Sequence, residues 1–260
     1  MLTQPPDTTA SGERWQAAGV RHAVLLRALP ALRHDVASPI SVMQMTVSLL
    51  QRKLTVEPAD ASYCAHRVAV LEQQIGALND ALRWLFDWGI GVADVPVTRT
   101  QLVSRCVGLL RPLWGLEGVA IQVDSALQQQ SSTAEAAGRS PESSWPRQAA
   151  LRYLLLAALC YVHDRSGGLT GIRVTPDRHD ALLLQCLYPH DEELGSTPLT
   201  CMAEAQPVPI CIDAAALACL ADDLGYLVRF NQDGVWLQLA DSRRLGDQDA
   251  RIEIPRNATR

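Results

Sequence analysis

His34 is followed at once by a carboxylate, Asp35, four residues on by a small hydroxyl, Ser38, and five residues on by a proline, Pro39. Alone, a surface His-Asp pair is ordinary solvated polar surface. Its neutral imidazole is nonetheless a usable nucleophile near physiological pH, and one ring nitrogen is enough to carry a transferred group. The proline adds weight to that reading. Inside a helix it removes a backbone hydrogen bond and costs about 3 kcal/mol, so it calls for a reason, and a local kink beside a reactive histidine is one.

The element that must position His34 is legible in the apolar pattern. Leu29, Leu32, Val36, Ile40, Met43, Val47, Leu50 and Leu54 recur at steps of three and four and define one stripe of a helix. His34 lies two residues from both Leu32 and Val36, which at roughly 100° per residue turns it about 200° from them, so it faces outward. Ala37, Ser38, Ser41, Val42 and Met45 follow on its side, a mildly apolar strip on which a partner could dock. A second run, 59–88, carries Cys64, Val68, Leu71, Ile75, Leu78, Leu82 and Leu85 in unbroken alternation of four and three. The short polar link at 55–60, with Pro58 as a first-turn residue, makes the two an antiparallel hairpin. Two helices cannot enclose two such stripes, whereas two hairpins can form a four-helix bundle, so the pattern predicts a homodimer.

At 260 residues and 48% hydrophobic content the chain can bury a real core and divide into two domains. A net charge of −5 leaves no electrostatic footprint for nucleic acid, and no apolar run reaches the roughly 18 residues that a membrane span needs. Residues 1–12 lack the plan of a signal peptide and read as a disordered lead, so a cytoplasmic protein is expected. The seven cysteines are scattered without a CxxC pair and read as reduced core residues. His22, His163, His179 and His190 have no ligand spacing and read as surface residues, and Asp191-Glu192-Glu193 as a solvated turn.

Beyond a Gly/Pro-punctuated linker at 89–96, helices and strands alternate. Helices are predicted at 99–114, 147–163 and 212–224, and strands at 119–123, 171–174, 182–187, 227–230 and 235–239. This is the order of an α+β sandwich. The Gln-, Ser- and Ala-rich stretch 128–145 reads as a surface loop, and 241–260 as a tail with one candidate strand at 251–255. Trp84 and Trp88 read as packing residues between the two halves.

The stretch Leu32-Arg33-His34-Asp35-Val36-Ala37-Ser38-Pro39 resembles the phospho-acceptor box of sensor histidine kinases, and the α+β order after it resembles their ATP-binding domain, so the likeness covers about 25–239. The resemblance implies a dimerisation and phosphotransfer hairpin over 13–93 and an ATPase-like (Bergerat-type) α/β sandwich over 97–240. It implies that His34 is the phospho-acceptor, that Asp35 orients and stabilises its imidazole, and that Ser38 stands where kinases orient a water. Ala37, Pro39, Ser41, Val42 and Met45 become the expected partner-binding strip.

The second half departs from the kinases. Tyr153 and Ala157 stand where the resemblance places the magnesium-bearing asparagines, Tyr188-Pro189-His190-Asp191-Glu192 replaces the Asp-x-Gly-x-Gly turn, and the glycine-rich lid before Ile212 is missing. Ala157 offers no oxygen to a magnesium ion, and without glycines the backbone cannot approach phosphates closely. A degenerate ATPase-like domain is therefore expected, as in histidine phosphotransferases of the ChpT type, which carry phosphate between receiver domains of response regulators or hybrid kinases. On that reading no cofactor is needed, because the receiver supplies the magnesium. A non-catalytic pseudokinase adaptor and a divergent sensor kinase or phosphatase are the alternatives.

Overall fold

The computed structural model describes residues 8–56, 60–86, 88, 96–128, 144–165, 168–178, 180–189 and 210–240. Two helices come first, α1 (Thr8–Val56) and α2 (Ala61–Phe86), joined by a link too short to let them run other than antiparallel. α1 starts inside the stretch read as a lead and runs unbroken through Pro30 and Pro39.

The second half follows the predicted order: β1 (Val97–Thr98), α3 (Arg99–Leu116), β2 (Ala120–Val123), a 3-10 turn (Ser125–Leu127), β3 (Ser144–Trp145), α4 (Gln148–Arg165), β4 (Gly171–Asp177), β5 (Ala181–Leu187), α5 (Ala214–Leu224), β6 (Val228–Phe230) and β7 (Gly234–Gln238). Five strands form a mixed sheet in the order β2-β4-β5-β7-β6, parallel between β2 and β4 and antiparallel elsewhere. At Gly234, opposite Gln185, a Cβ would collide with the Leu184 carbonyl oxygen, so only glycine lets β7 approach β5. The β1–β3 pair was not foreseen. It takes Ser144 and Trp145 out of the predicted loop, because Trp145 is buried opposite Val97. Residues 129–143 of that loop, the tail and 190–209, with His190, the acidic cluster and most of the lid position, lie outside the described residues, as does His179.

α3, α4 and α5 cover one face of the sheet. α4 carries Leu151-Arg152-Tyr153-Leu154-Leu155-Leu156-Ala157-Ala158-Leu159-Cys160-Tyr161-Val162, every one buried. A helix apolar all round must be enclosed all round. The sheet encloses α4 from one side, and from the other comes an unexpected element, the N-terminal half of α1, whose Ala17, Val20, Ala23, Val24, Ala28 and Leu32 are buried. The hairpin is thus continuous with the α+β core.

Ion pairs hold this third layer down. Arg21 pairs with Asp223 of α5, and Arg27 makes two hydrogen bonds, of 2.8 and 2.7 Å, to the carboxylate of Asp164 on α4. Asp164 also accepts from the Ile212 backbone N–H at 2.9 Å. His163 is no free surface residue: it stacks on Trp114 at 4.6 Å between centroids and reaches Glu117 at 2.9 Å. Cys106, Cys160 and Cys186 are buried, but Cys211 is exposed and Cys64 and Cys219 half-buried, so the cysteines are only partly core.

Candidate functional site

The lower half of α1 shows three faces. Its buried line runs through Leu32, Pro39 and Thr46, seven residues apart, with α2 alongside. On one flank Leu29, Ile40, Val47 and Leu54 are exposed, and α2 leaves Val68, Ile75 and Leu85 exposed likewise. The predicted stripes are therefore split, one edge turned into the hairpin and the other left open. His34 is on the opposite flank of α1. Its side chain is 78% exposed, and Asp35 places a carboxylate oxygen 3.5 Å from its Nδ1.

Ser38 is exposed beside His34. Ala37 and Ser41 are exposed one and two turns on, the Ser41 hydroxyl donating to the Ala37 carbonyl at 3.0 Å. Met45 is 61% exposed. Two residues of the expected docking strip are less accessible. Val42 is half-buried, and Pro39 is buried on the α2 side because the helix turns it about 140° from His34. Pro39 belongs to the packing beneath the site.

What the sequence does not show is the opposite wall. A cleft of about 470 Å³ lies between α1, α2 and α3, lined by His34, Asp35 and Ser38 of α1, Gln74 and Asp80 of α2, and Ser104 and Arg105 of α3. No local pattern could have announced Ser104 and Arg105, some seventy residues away. They reach the cleft because α3 buries Leu102, Val103, Cys106, Val107, Leu109 and Leu110 and turns 104, 105 and 108 outward. Its start is set by a capping box, Thr98 accepting from the Gln101 N–H and the Gln101 side chain accepting from the Thr98 N–H.

Tyr153 and Ala157 lie in the packed interior. Tyr153 donates its hydroxyl to the Trp88 carbonyl at 3.2 Å and meets the Trp88 ring edge-on at 5.4 Å, while Ala157 is fully buried. Burial pushes the Tyr153 phenol up, against the pull of Arg152 and Arg21. Trp88 is thus a packing residue between the halves as expected; the Trp84 side chain is outside the described residues. Burial likewise raises the Cys106 thiol to about 12 and Cys160 to about 11, which leaves both inert. Among the described residues no three His, Cys, Asp or Glu side chains gather as a metal site, and no helix is long and apolar enough to cross a membrane.

No family model matches the chain, and no curated protein does. Among solved structures, the Acinetobacter baumannii histidine kinase AdeS aligns over 80% of this chain and 98% of that one, at 12% sequence identity and a TM-score of 0.30. So distant a likeness carries no argument about the chemistry, and the reading of the site rests on the chain's own residues.

Proposed function

We propose that this chain is a histidine phosphotransfer protein of a two-component phosphorelay. His34 takes a phosphoryl group from an aspartate of one receiver domain and passes it to another, and the chain works as a homodimer without ATP. The observation that carries the reading is the outward, 78% exposed imidazole of His34, with Asp35 at one ring nitrogen and a cleft beside it.

With its proton on Nδ1, toward Asp35, the imidazole keeps the Nε2 lone pair for attack. Nε2 forms a bond to phosphorus as the P–O bond to the receiver aspartate breaks, and that aspartate leaves with the electron pair as a carboxylate. The imidazole is then cationic, and Asp35 balances the charge without taking the proton. The reverse step delivers the group to a second receiver. Such transfers depend on positioning and electrostatics, and the receiver brings the magnesium that neutralises the oxygens in flight.

The absence of ATP chemistry is supported by the two positions matched to the kinases' asparagines. Tyr153 spends its hydroxyl on the Trp88 carbonyl and Ala157 is enclosed, so neither presents an amide oxygen to a metal. A homodimer is supported by the open edge of both stripes, Leu29, Ile40, Val47 and Leu54 with Val68, Ile75 and Leu85, an apolar face that a second hairpin of the same pattern would cover.

The test is single-turnover transfer from a receiver phosphorylated in the presence of magnesium. Wild-type protein should take label within the mixing experiment, His34→Gln should take none, and neither should be labelled by ATP. Labelled His34→Gln, or labelling of wild type by ATP alone, would overturn the proposal. Tight receiver binding with no transfer would leave an adaptor instead.

A further inference from the structure

We propose that Arg105, carried by α3 of the α+β half, is the residue that holds the phosphoryl oxygens on His34; this rests on the phosphotransfer reading above. A phosphoryl group on an exposed imidazole is a dianion near neutral pH; of the two charged residues that flank His34 in sequence, Arg33 does not line the cleft, and Asp35, which does, is of the wrong sign. Asp80 of α2 lines the same cleft. One helical turn beyond His34, where a basic side chain could reach back, the chain has Ala37. Among the described residues lining the cleft, Arg105 is the one with a permanent positive charge. Its guanidinium presents paired N–H donors in a plane, a fork that matches two phosphoryl oxygens as a lysine ammonium cannot.

The placement is fixed rather than incidental. α3 buries its other face and is capped at Thr98, while the Arg27–Asp164 and Arg21–Asp223 pairs bind α1 to the layer that contains α3. Hairpin and α+β half therefore face each other across the cleft as one packed unit. Arg105, Ser104 and Gly108 also line a second hollow of about 770 Å³ that runs on past Gln101 and Arg111 to Gln128, so the cleft stays open for a donor to enter. In the transfer itself Arg105 gains and loses no proton. It supplies donors to the oxygens as the P–N bond forms at Nε2, and is a positioning residue for the group His34 carries.

Phosphoramidate, a small anionic donor, phosphorylates histidine with release of ammonia and needs no protein docking surface, so it isolates this role. Arg105→Gln should slow labelling of His34 by roughly tenfold, less than the roughly hundredfold or more that one donor contributes in a water-excluded site because this cleft is open to solvent, and Arg105→Lys should recover part of it, with unchanged melting. The phosphohistidine resonance in phosphorus NMR should titrate at lower pH in wild type than in Arg105→Gln, because a nearby cation favours the dianion. If Arg105→Gln melts early, Arg105→Lys and Arg105→Glu at matched stability decide, and Lys must exceed Glu. Wild-type rate and midpoint in Arg105→Gln would overturn the assignment while His34→Gln, taking no label, keeps the phosphotransfer reading. A wild-type protein that takes no label from phosphoramidate or from a receiver would overturn both.

Discussion

Asp164 is the residue on which the two halves of the molecule depend. Its side chain and that of Arg27 are 10% and 9% exposed, and it accepts from Arg27, from the Ile212 N–H and, at 3.3 Å, from His163. Burial alone would raise its carboxyl, but the hydrogen bonds from His163, Arg27 and Ile212 outweigh it and hold the group below the ordinary carboxylate value. A folded-state value below the unfolded one means that this contribution is complete above the ordinary carboxylate range and is lost as pH falls through the depressed value. Wild-type stability should therefore fall with acid below about pH 4, and Asp164→Asn should lack that part of the dependence. Asp164→Ala, which strands Arg27 in a buried site, should cost about 3 to 5 kcal/mol in denaturant unfolding. A loss within about 0.5 kcal/mol, the range of ordinary surface changes, would show the pair to be dispensable.

At the scale of the element, α1 is a helix whose three faces do different work. The His34 face carries Met45, exposed, and Val42, half-buried, so the two predict different outcomes when made acidic. Met45→Glu should weaken binding of a receiver by about 1 to 3 kcal/mol, the scale of an unpaired polar group at an interface, and leave the melting temperature unchanged. Val42→Glu should lose stability as well. Titration calorimetry against a receiver, paired with thermal melts, reads both. A stable Met45→Glu that binds and transfers normally would move the docking face off this strip.

For the whole molecule, the lower hairpin is left with an apolar flank on both helices, while the upper half of α1 is spent on α4 and α5. One helix thus packs into the α+β core along its N-terminal half and keeps an open apolar flank along the rest. Replacing Ile40 and Ile75 together by Lys should turn the proposed dimer into a monomer at micromolar concentration, raising the dissociation constant by more than about a hundredfold, because the interface would bury four unpaired ammonium groups, two from each protomer. Light scattering gives the mass, and near-UV circular dichroism should show the α+β half intact. A double variant that stays dimeric would place the contact elsewhere.

The kind of every long helix and of the strands of the main sheet, and the outward aspect of His34, were legible in the sequence; the short β1–β3 pair was not. Heptad spacing, an apolar run enclosed on all sides and period-two strands are local patterns, and local patterns dictate which side of a helix or strand avoids water. That is why α3, α4, β5 and α5 fall close to their predicted places and why Asp35 stands at Nδ1. Tertiary structure alone decided what those faces meet. Pro39, expected on the partner-binding strip, is buried because α2 lies on that side. The N-terminal half of α1 became the third layer because α4 has no polar face to leave bare, a demand visible in α4 but mute about which segment answers it. Arg105 reached the cleft of His34 by the same long-range packing. The contacts that build this site join residues about seventy positions apart, and no spacing along the chain records them.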